Sequence, residues 1–156
     1  MLQRIQTVFL LLVALTSLAL FFLPMAGFLS DLFYLKLYLY QIKNLTPDSA
    51  LQFGLLSILP LLLINAGILG LTIVTILGYK NRKKQMRMVR LNLLLNMLLL
   101  VAVFVFYPYL MLNNVEVDTE YETGAFIPII NLLFLFLANR YILKDDKLVR
   151  SVDRLR

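Results

Sequence analysis

A chain of 156 residues with 61% hydrophobic side chains, a mean hydropathy of +0.84 and a net charge of +6 is more apolar than a soluble domain, for which about 45–50% is usual. The bulk of it is expected to sit in a membrane. Cysteine and histidine are absent, which removes disulfides, thiol nucleophiles, imidazole metal sites and the usual general base; tryptophan is absent too, so Tyr and Phe must serve as interfacial anchors. The positive charge has a simpler source than nucleic acid, because Lys and Arg accumulate on the cytoplasmic side of inserted chains.

Taken in order, residues 5–23 form an uncharged stretch of about the 20 residues that a helix needs to cross hydrocarbon. It is too long for the apolar core of a signal peptide and is expected to be a retained first span, drawn out to residue 28, with Arg4 inside and Pro24 and Gly27 at its outer end. Residues 29–50 then lie outside. Within them Phe33, Leu35, Leu37 and Leu39 alternate with Tyr34, Lys36, Tyr38 and Tyr40, a two-residue period that predicts a strand, with continuation of the helix as the rival reading.

Pro47 prepares a second span over 51–79, in which Ala66 and Gly70 stand one turn apart and offer a face for close helix–helix contact. Next comes a basic segment without acids, residues 80–90, read as a cytoplasmic loop. Its six cations, Lys80, Arg82, Lys83, Lys84, Arg87 and Arg90, are too costly to place in hydrocarbon.

The third span is predicted over 91–112. Residues 113–124 follow outside, where Glu116, Asp118, Glu120 and Glu122 alternate with Val115, Val117, Thr119 and Tyr121 and predict a second strand with one acidic, solvated face. The fourth span covers 125–143. The tail, 144–156, is predicted to be a short amphipathic helix on the inner leaflet, with Asp146 four residues from Arg150.

The fold class read from this pattern is an all-α membrane protein in one domain over 1–156: a four-transmembrane-helix bundle, N-in/C-in, with a two-stranded β element outside and an amphipathic C-terminal helix. Charge supports the orientation, since thirteen of the fifteen basic residues fall inside and six of the nine acids outside. The two halves also read in the same sense, as a duplicated unit would, although a bias toward Leu and Phe produces the same likeness.

No acid or base lies in the middle of a span, which disfavours an ion-coupled carrier, and no catalytic set is visible. Asn65, Asn96 and Asn131 stand as interhelical ties or, in a sharper reading, as a polar pocket for a headgroup or small solute. Lys80, Arg82, Lys83, Lys84, Arg87, Arg90, Arg150 and Arg154 are the expected contacts to anionic lipid or an acidic partner patch. The expected role is that of a non-catalytic accessory or scaffold subunit of an inner-membrane complex with a membrane-protein partner; the alternative is a lipid or small-solute binding or flipping protein. No cofactor, metal or nucleic acid is expected.

The opening residues Met1 to Leu12 and the closing residues Leu137 to Arg140 and Lys147 to Arg156 resemble an uncharacterised family of small four-span inner-membrane proteins of the Bacteroidetes. The tail carries the most specific part of the likeness. The resemblance implies location and span number, and supplies no activity, ligand or site residue.

Overall fold

Apolar runs of Leu, Ile, Val and Phe give long helices that continue through Pro60 and Pro128, while Gly78 closes α2 and Asn81 opens α3. In the computed structural model, residues 5–31, 33–46, 54–79, 81–112 and 117–153 are described, with only the backbone for Leu55, Leu112 and residues 146–153. The order is α1 (Ile5–Ala19), β1 (Ala26–Leu29), β2 (Tyr34–Leu37), β3 (Ile42–Asn44), α2 (Leu55–Leu77), α3 (Arg82–Val101), a π-helical turn (Ala102–Phe106), α4 (Tyr107–Leu112), β4 (Asp118–Tyr121) and α5 (Thr123–Asp153). Helix α1 packs on α2 and α5, and α3 packs on the same two, so the four long helices close a ring. Cross-links between residues 9 and 141, 16 and 131, 96 and 128, and 85 and 75 show that neighbours run antiparallel.

Three helices, Leu56–Leu77, Arg82–Met111 and Thr123–Asp145, are long and apolar enough to cross a membrane. Helix α1 is shorter, 15 residues or about 22 Å. The first span predicted to residue 28 therefore stops early. Its last turn tightens into i→i+3 bonds, Phe21 N–H to Leu18 O and Phe22 N–H to Ala19 O. Pro24 then has no N–H to continue the helix, and Ala26–Leu29 becomes a strand.

The β element has four strands rather than two, in the order β3-β2-β1-β4, all antiparallel. The alternation at 33–40 does mark a strand: Phe33, Leu35, Leu37 and Leu39 are all buried. That stretch turns back at residues 38–41 to pair with β3, and the acidic strand β4 pairs with β1 instead of with β2. Ala26 and Phe28 of β1 lie beside Leu37 and Leu35 of β2, and these four side chains form the buried face. The upstream part of the predicted acidic strand, 115–116, lies outside the described residues.

Two further boundaries differ from expectation. The basic loop at 80–90 is mostly helix, because Asn81 caps α3 by accepting the Lys84 N–H at 3.1 Å, and the Arg, Lys, Gln and Met that follow are good helix formers. No separate C-terminal helix forms: α5 runs unbroken to Asp153, since nothing between Leu143 and Lys144 interrupts it. The Asp146–Arg150 pair falls among side chains that are not described.

Where the sheet meets α5, backbones approach closely. Gly124 N–H donates to Pro24 O at 2.9 Å, and a Cβ on Gly124 would lie 2.5 Å from that oxygen. The neighbour is backbone and cannot swing aside. Gly124→Ala is expected to destabilise the protein by about 1–3 kcal/mol, the usual range for overpacking, read as a lower thermal midpoint in detergent; an unchanged midpoint would contradict this junction.

Candidate functional site

The helical ring exposes large apolar side chains and buries polar ones among its apolar core. Leu15, Leu56, Leu63, Leu77, Val105 and Leu133 are at least 60% exposed, whereas Gln6, Ser17, Asn65, Thr72, Thr75, Gln85, Asn92, Asn96 and Asn131 are almost fully buried. Buried amides need partners, and in a surrounding without water those partners must come from other helices.

One polar layer crosses the ring. Asn65 on α2 donates its Nδ2 to Ser17 O (3.2 Å), and Asn131 on α5 donates to Ser17 Oγ (3.2 Å). Thr16 Oγ1 lies within reach of both Asn131 Oδ1 and the Leu12 carbonyl (2.7 Å). Asn96 on α3 donates to Pro128 O (2.8 Å), one turn before Asn131 on α5. All three asparagines singled out in the sequence are thus fully buried at one level, where Ser17 joins two of them and Asn96 binds beside them. Their amide nitrogens bind neighbouring helices, and Oδ1 of Asn65 and of Asn96 has no protein partner.

A second seam joins α2 to α3. Asn92 Nδ2 contacts Thr72 Oγ1 (2.7 Å) and Ile68 O (3.3 Å), Thr72 Oγ1 donates to Ile68 O (2.7 Å), and Gln85 Nε2 donates to Thr75 O (2.9 Å). Close approach comes from Gly67, whose added Cβ would stand 3.1 Å from Leu95. Ala66 and Gly70, expected to make the helix contact, instead face outward, and a Cβ at Gly70 would touch nothing. Within the chain the contact to α3 is thus made by Gly67, one residue and a rotation of about 100° from Ala66, and the face carrying Ala66 and Gly70 is left exposed.

At the sheet end, proline-weakened helices are tied by tyrosines. Pro108 has no N–H for the carbonyl four residues back, Phe104 O, and that oxygen accepts the Tyr121 hydroxyl at 3.3 Å while the two rings stack at 4.6 Å. Tyr107 donates to Ser57 O (2.6 Å), next to the carbonyl that Pro60 leaves free. On the open face of the sheet Lys36 pairs with Glu122 at 2.6 Å, reaching across Gly27. The Glu122 hydrogen bond, ahead of other causes, holds the Lys36 ammonium protonated above its ordinary 10.5. The contribution of the Lys36 charge is therefore fully present below that ordinary value and is lost as pH rises through the raised one.

The cations concentrate at the opposite end. Lys83, Lys84, Arg87 and Arg90 are exposed, while Arg82 is half-buried and donates to Asp145 O on α5 at 2.6 Å. Lys80 and Arg154 lie outside the described residues, as does the Arg150 side chain. A cavity of about 510 Å³ at this end is lined by Leu137, Arg140, Tyr141, Leu143 and Lys144. Neither Arg140 nor Lys144 had been singled out. Their spacing, one turn apart where an apolar face ends, was the available signal.

The chain belongs to the family described as "Domain of unknown function (DUF4293)", whose model matches residues 2–155. No curated protein and no solved structure matches it.

Because Asn131 bridges α5 to Ser17 and Thr16 of α1, Asn131→Leu is expected to cost about 1–3 kcal/mol, at roughly 0.6–2 kcal/mol for each interhelical bond. Thermal unfolding in detergent measures it. A midpoint equal to that of the unaltered protein would mean that the polar layer does not hold the helices.

Proposed function

We propose that this member of the DUF4293 family is a non-catalytic protein of the bacterial inner membrane, crossing it four times with both termini inside, and serving as an accessory or scaffold subunit of a membrane complex. In this reading α1 is the first span, completed by the turn residues that follow it and standing beside the three longer helices, and the basic end faces the cytoplasm. The charge separation between the acidic sheet end and the basic end supports the orientation.

The observation that carries the scaffold role is a stripe on α2. Leu56, Leu59, Leu63, Ala66, Gly70, Ile73 and Leu77 recur at alternating steps of three and four, and all of them are exposed. That spacing is the seam of a helix pair, and the small residues at its centre let a second backbone approach. The chain's own helices pack against the other sides of α2, so the seam is open to a helix of another protein.

Purification through a tag in mild detergent at native expression is expected to recover a stoichiometric membrane partner, which Gly70→Leu releases while the variant itself stays folded. A protein that is isolated and monodisperse at native expression would refute the scaffold role. For the orientation, a reporter fused after Arg156 is expected to be active only as a cytoplasmic fusion; extracytoplasmic activity would overturn it.

A further inference from the structure

On α5, Leu137, Arg140, Tyr141 and Lys144 follow one another at the i, i+3, i+4, i+7 spacing of a single helix face, and this face lines the cavity at the basic end. One turn further toward the sheet, the same face continues with Leu133 and Phe136, 61% and 58% exposed. The stripe thus changes from exposed hydrocarbon to paired cations within two turns. Arg140 and Lys144 are exposed and have no ion-pair partner among the described residues. Tyr141 between them is held by stacking on Phe9 of α1, with ring centroids 5.7 Å apart. The Arg82 guanidinium on the neighbouring α3 is anchored one residue beyond Lys144, on the Asp145 carbonyl, which brings a further positive charge close to the pair.

We propose that this stripe binds one anionic phospholipid, its phosphate held by Arg140 and Lys144 at the cavity and an acyl chain lying along Phe136 and Leu133. The ligand is an amphiphile because the stripe is one. A guanidinium and an ammonium one turn apart suit a phosphate, the first through its planar fork of donors and the second as a point charge. A cationic pocket at the level where the apolar face ends matches headgroup depth. This inference rests on the reading that the basic end meets a membrane leaflet, and it is independent of any protein partner.

The test uses the full chain in nanodiscs of phosphatidylcholine and phosphatidylglycerol, released for native mass spectrometry. The unaltered protein is expected to retain one phosphatidylglycerol molecule, and Arg140→Gln with Lys144→Gln to lower that occupancy by roughly tenfold. Lys83→Gln with Lys84→Gln removes equal charge from the same end and is expected to leave it unchanged. Equal loss in both variants, or full retention when Arg140 and Lys144 are replaced, would overturn the site. Circular dichroism checks folding, and should the double variant misfold, Lys144→Gln alone is expected to lower occupancy about threefold, with no change counting against the proposal. Inorganic phosphate is the remaining arm: displacement of the lipid by millimolar phosphate would mean that the pocket recognises the free anion, and the lipid assignment would fall. The scaffold role is unaffected by any of these results, since no partner enters the measurement.

Discussion

An amide N–H inside a ring of helices coated with Leu, Ile, Val and Phe has one kind of acceptor within reach, the oxygen atoms of another helix. This constraint organises the interior. Asn65, Asn92, Asn96, Asn131 and Gln85 each donate to a backbone carbonyl or hydroxyl on a neighbouring helix, and together they link α1 to α2, α1 to α5, α2 to α3 and α3 to α5. Apolar contact between helices distinguishes poorly among rotations when the surroundings are equally apolar, whereas a buried amide has a few donors and a direction. The polar residues therefore set which faces meet, and the leucines fill the space that this leaves.

The sheet does for one end what the amides do for the middle. β1 follows α1 directly and sits between β2 from the first half of the chain and β4 from the second, so the strand order joins the two halves by main-chain bonds. Around it stand helices that proline has weakened at Pro60 and Pro108. The Tyr121 hydroxyl, at the end of β4, takes up the Phe104 carbonyl that Pro108 leaves free, and the Tyr107 hydroxyl binds Ser57 O, next to the carbonyl freed by Pro60. The π-helical turn at Ala102–Phe106 ends two residues before Pro108, and the extra residue lets the helix continue past the missing N–H. The absence of a side chain on Gly124 then allows β4 to hand over to α5 against the backbone of Pro24.

At the opposite end no strand stands among the described residues. This end is a surface of exposed cations with little acid among the described residues, and Arg82 secures it by crossing to α5. The structure is thus tied at both ends and through its middle. The lipid stripe on α5 and the seam on α2 belong to helices that do not lead the packing of one another. The two surfaces are thus physically separate.

Much of this was legible in the residues themselves. Apolar length, the absence of central charges, the period-two stretch at 33–40 and the clustering of cations all follow from local chemistry, which a side chain carries wherever it is placed. The end of α1 was hidden because Ala26–Leu29 is as apolar as the helix before it, and a short buried strand and a buried helix share that composition. Ala66, Gly67 and Gly70 were recognisable as a small-residue cluster, but the side of α2 that meets α3 is chosen by where Asn92 and Gln85 find acceptors on α2. Membrane-compatible segments, the absence of Cys and His and the asymmetry of charge were determined by the sequence, because these depend on what each residue is. The four-strand order, the rotation of every helix and the stacking of Tyr141 on Phe9 beside Arg140 and Lys144 were decided by tertiary structure, because they depend on contacts between residues far apart in the chain and on direction, which composition does not record.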